Sequence, residues 1–63
     1  MLHNAVDTEY FNIGNKRYFA NYYTDTKKEA EQVKLNHKRN NTGYDIKIVE
    51  RNDGKYWIAT AFK

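Results

Sequence analysis

The sequence predicts an α+β domain: a three- or four-stranded, mainly antiparallel sheet with one helix packed on a face, in the order β-β-α-β-β. Three observations lead there. Two strand-like runs flank Asn52-Asp53-Gly54 in the stretch from Gly43 to Phe62, a capped helical segment opens at Thr26, and Gly14-Asn15 separates two aromatic-rich runs.

The hairpin over 43–62 organises the rest. Tyr44, Ile46 and Ile48 alternate with Asp45, Lys47 and Val49, the period of a half-buried strand, and the return strand runs from Lys55 to Phe62. With Asn52, Asp53 and Gly54 as a three-residue loop, Gly54 takes the left-handed position of a type I turn plus bulge and Arg51 faces Lys55. That register opposes Ile48 to Ile58. It gathers Ile46, Ile48, Tyr56, Ile58 and Phe62 on one face and leaves Lys47, Val49, Arg51, Lys55, Trp57, Ala59 and Ala61 on the other. A two-residue loop would pair Ile48 with Ala59 and turn Trp57 inward; the first register makes one face more consistently apolar.

Upstream, TEYFNI and KRYFANYY read as a second hairpin with a tight primed turn at Gly14-Asn15, and residues 1–7 read as a loose lead-in. In its return strand Tyr18, Ala20 and Tyr22 share one face and Arg17, Phe19, Asn21 and Tyr23 the other, so aromatics fall on both sides of the sheet. The segment from Thr24 to Asn41 is helical. Thr26 followed by Glu29 is a capping-box pattern, Lys38 and Arg39 suit the negative end of the helix dipole, and Asn40, Asn41 and Gly43 suit its exit. Ala30, Val33 and His37 form a short stripe toward the sheet, and Leu35 lies opposite.

Sixty-three residues make a single small domain near the lower limit for independent folding. Leu, Ile, Val and Phe number only twelve, and ten aromatic residues, six of them Tyr, supply the remaining core volume. Absence of cysteine excludes disulfides and thiolate zinc sites. No run approaches membrane-spanning length and MLHNAVDTEYF has neither the basic start nor the apolar core of a secretory signal, so a cytoplasmic protein with no membrane partner is the expectation. Eight Asn, eight Lys and no Pro resemble the bias of an AT-rich genome.

Catalysis finds no footing. The chain has neither Ser nor Cys, Asp53, Asp25 and Glu29 are explained by turn and helix start, and His3 and His37 have no carboxylates at ligand spacing. A metal, a cofactor and a small-molecule substrate are therefore not expected, and His37 reads as a helix-to-sheet contact with one ring nitrogen hydrogen-bonded. The run beginning YFANYYTDTKKEAEQV and ending at Lys63 resembles the first half of a SPOR domain, a peptidoglycan-binding family with the same strand, helix and hairpin succession. It lacks that family's glycine after the first strand and stops where the second helix would follow. Thr26-Lys27-Lys28-Glu29-Ala30-Glu31 also resembles the strand-to-helix junction of the arm-type DNA-binding domains of phage integrases. Neither resemblance carries a functional residue over.

Two surfaces remain. Trp57 among Lys47, Arg51 and Lys55, helped by Arg17 and Lys38, has the ingredients of a weak single-stranded nucleic-acid platform: a ring to stack on and cations for phosphates. Lys27, Lys28, Lys34, Lys38 and Arg39 form a second basic cluster, read as a solvated helix with ion pairs to Glu29 and Glu31. The alternative is a protein-interaction or homodimer surface, an adaptor or inhibitor encoded by a phage or mobile element, built on Phe19, Tyr23, Leu35 or a sheet edge.

Overall fold

The computed structural model describes residues 1–40 and 43–63. Four strands and one helix follow in the expected order: β1 (Leu2–Ile13), β2 (Lys16–Thr24), α1 (Lys27–Asn40), β3 (Tyr44–Glu50) and β4 (Tyr56–Phe62). They form one antiparallel sheet of order β1-β2-β4-β3, so β4 lies between the two strands that the helix joins. Thr26 caps the helix start, but the Glu29 carboxylate meets its hydroxyl and not its backbone N–H as a capping box would have it. The Thr26 hydroxyl accepts from the Glu29 N–H at 3.2 Å and donates to the Glu29 carboxylate at 3.0 Å. The helix exit over Asn41 and Thr42 lies outside the described residues.

The second hairpin has the apolar-face register. Ile48 pairs with Ile58, the Arg51 N–H donates to the Lys55 carbonyl, and Gly54 sits at φ 81° while its N–H closes the turn onto the Arg51 carbonyl. Asp53 accepts from the Lys55 N–H at 3.0 Å, holding the loop from its own side chain. In the first hairpin Gly14 alone has positive φ, at 62°, between paired Ile13 and Lys16, which is the type II′ arrangement.

Core packs on both faces of the sheet. On one, Ala30 of the helix meets Ile46 and Ile58, flanked by Val33, Ile48 and Tyr56. On the other, Tyr18 covers Ala59 and Ala61, with Phe11, Ile13 and Val49 around them. The two alanines make this second layer, because side chains this small let the Tyr18 ring lie directly on β4. Two ion pairs then span the sheet on that face: Lys16 of β2 reaches Asp45 of β3, and Glu9 of β1 reaches Arg51 beyond β3. A sheet curled enough for outer strands to meet in this way covers its own concave face.

Two irregularities depart from simple alternation. Residues 5–8 of β1 stand opposite one β2 residue between the pairs Asn4–Tyr22 and Glu9–Ala20. In β2, three residues lie between Phe19 and Tyr23 where β4 has two, so Tyr22 leaves the face of Tyr18 and Ala20 and Tyr23 joins it. The lead-in over 1–7 is correspondingly corrected. Leu2 to Asn4 pair with Thr24 to Tyr22, His3 stacks on Tyr23 with ring centroids 5.0 Å apart, and His3 Nε2 lies 2.8 Å from the Asp25 carboxylate.

Candidate nucleic-acid interface

Trp57 lies on the face away from the helix, as its register requires, but it is 5% exposed. Tyr23 packs on it at 5.0 Å between centroids and Phe11 at 6.3 Å, and the Arg51 guanidinium lies 5.8 Å from the indole ring. The ring is therefore core, not a stacking platform. Sequence periodicity places a side chain on a face but carries no signal for what other strands lay over it; here Tyr23 of β2 and Phe11 of β1 do so.

Of the cations singled out with it, Arg51 and Lys55 line a depression of about 290 Å³ with Trp57, Tyr23, Glu9 and Asp53, among carboxylates, while Arg17 stands apart. Arg51 is held by Glu9 and lies over Phe11 as well as Trp57; Lys55 sits 4.7 Å from the Tyr23 centroid and 3.9 Å from Asp53. Arg17 covers Tyr10 at 4.4 Å within the first hairpin. Lys47 and Lys38, by contrast, come together. They line a polar cleft of about 480 Å³ at the β3 edge with Lys34 and Lys63, beside Tyr18, Tyr44 and Ile46. Helix, edge strand and the end of β4 each bring part of this set, so a helix-only grouping missed Lys47 and Lys63. Among the described residues, none of Lys34, Lys38, Lys47 and Lys63 is ion-paired, and the expected helix pairs to Glu29 and Glu31 do not form.

Asp45 is the one acidic residue of the cleft. Its carboxyl is held below its ordinary value, first by the hydrogen bond from Lys16, with the positive fields of Lys63 and Lys47 adding to it. The same bond raises Lys16. Asp45 is thus already neutralised from the concave side, and the four remaining lysines give the cleft a positive field.

The residues named for a protein partner also separate. Tyr23 is packed between His3 and Trp57, Phe19 is half-buried with its carbonyl accepting from the Thr60 hydroxyl at 3.3 Å, and Leu35 is 47% exposed on the helix. His37 is half-buried and meets Tyr44 edge-on at 6.0 Å; its Nδ1 is buried without a hydrogen-bond partner, contrary to the expected bonded ring. Among the described residues no helix is long and apolar enough to cross a membrane. Compared with protein-family models, curated proteins and solved structures, the chain matches none.

Proposed function

We propose that the protein is a small non-enzymatic binding module for single-stranded nucleic acid, gripping phosphates in the cleft of Lys34, Lys38, Lys47 and Lys63. One observation carries this reading: four lysines, from the helix, β3 and the position after β4, converge without carboxylate ion pairs around an aspartate already bonded to Lys16. Like charges repel, so this arrangement costs stability and finds compensation when a polyanion replaces the counterions. Trp57 is too buried to stack on a base, Arg51 and Lys55 have acidic neighbours in Glu9 and Asp53, and Arg17 lies over Tyr10, so none of them is assigned to the grip.

The test is titration of a short labelled single strand, followed by fluorescence anisotropy, at about 50 mM and about 200 mM salt. Affinity should fall steeply between the two, and the double variant Lys34→Gln/Lys47→Gln should bind more weakly at both. Salt-independent binding, or full affinity in the double variant, would overturn the reading. A protein partner is the second reading, favoured by Val6, 99% exposed where the pairing of β1 breaks, and by Leu35. Binding there should barely respond to salt.

A further inference from the structure

The lysine cleft has a neighbour of opposite chemistry, and Tyr44 walls both. Beyond Tyr44 an open groove of about 400 Å³ runs between the helix and β2, lined chiefly by Leu2, Phe19, Tyr22, Val33 and Ile58. It exists because α1 packs on Ile46 and Ile58 of β3 and β4, leaving the β2 side of the same face uncovered. The β2 irregularity brings Tyr22 onto this side, where it is 46% exposed. Two of the groove's polar side chains are engaged. The Asn21 Oδ1 accepts from the Thr8 hydroxyl at 2.6 Å and the Thr60 hydroxyl donates to Phe19, but the buried Nδ1 of His37 has no partner. That atom is closed to solvent, so what the groove presents to a ligand is its apolar lining and the exposed ring of Tyr22.

We infer that this groove receives an unstacked nucleobase of the strand whose phosphates lie in the lysine cleft, an inference that rests on the function proposed above. A nucleotide joins an anion to a flat ring, and the two depressions offer a positive field and an apolar slot on either side of one tyrosine. The phosphate meets the lysines. The base stacks against Tyr22 or Tyr44, with its polar edge left toward the open mouth of the groove. The groove volume lies within the range of small-molecule sites, and a duplex, whose bases are stacked and paired, could not enter it. Ligand preference therefore follows from shape: single strands over duplex, and base-bearing strands over bare backbone.

The experiment compares a labelled single strand with an abasic strand of the same length, for the wild type and Tyr22→Ala, with circular dichroism to confirm each fold. The base-bearing strand should bind the wild type about tenfold tighter. Tyr22→Ala should bring that ratio toward one while leaving the abasic strand's affinity unchanged. Equal affinity of wild type for the two strands would overturn the inference while leaving the lysine cleft intact; failure of both strands to bind at low salt would overturn the proposed function and this inference together. Concentration-dependent self-association abolished by Tyr22→Ala would assign the groove to a second copy and equally overturn it.

Discussion

Trp57 is the residue whose role most depends on its surroundings. Enclosed by Tyr23, Phe11 and Arg51, its indole should emit at short wavelength, resist quenching by iodide, and stay unchanged when an oligonucleotide binds. A red-shifted, readily quenched spectrum would show that the concave face is open. Trp57→Ala should destabilise the domain by about 3–5 kcal/mol in chemical denaturation, a large part of what a chain this size possesses. Two carboxylates contribute to the pH dependence of stability in acid. Asp45, bonded to Lys16, and Asp25, bonded to His3, are both depressed below their ordinary value of 3.8. A depressed folded value means that their stabilisation is complete above 3.8 and is lost as pH falls from there through the folded values. Asp45→Asn/Asp25→Asn should therefore show a shallower loss of stability on acidification below pH 3.8 than the wild type, and an unchanged slope would contradict both pairings.

At the scale of elements, the second hairpin was the most legible part of the chain. Its loop length, the left-handed glycine and the isoleucine face all belong to residues adjacent in sequence, where backbone sterics and period-2 alternation act without outside help. Gly54→Ala should cost about 1–2 kcal/mol by urea denaturation, and solely through the backbone, because the space where its side chain would stand is open. Thr26→Ala removes the acceptor for the Glu29 N–H and should cost about 1 kcal/mol. Ala59 is different. It is fully buried beneath Tyr18, so Ala59→Leu should displace that ring and destabilise the domain by about 1–3 kcal/mol despite adding apolar surface. The first hairpin was less legible because its irregularities are settled by contacts with other strands: His3 on Tyr23, Thr8 to Asn21, Glu9 to Arg51.

For the molecule as a whole, the decisive quantity is where its modest net charge of +3 is concentrated. If the β3-edge cleft carries nucleic acid, Lys34→Gln/Lys47→Gln should reduce the slope of log affinity against log salt by about 1.4, near 0.7 for each phosphate of a single strand that is no longer neutralised. Lys27→Gln/Lys28→Gln, at the other end of the helix, should change it little, and comparable reductions from the two pairs would mean that charge is read diffusely. Local sequence determined by itself the element order, the helix start, both turn sites and the partition of the last hairpin into an isoleucine face and a tryptophan face, since periodicity, capping and turn sterics are short-range. Only the tertiary structure decided that the tryptophan face is closed, that Lys38 and Lys47 join Lys34 and Lys63 while Arg17, Arg51 and Lys55 do not, and that a groove opens beside the helix. Those outcomes depend on sheet curvature and strand order, which bring together side chains tens of residues apart.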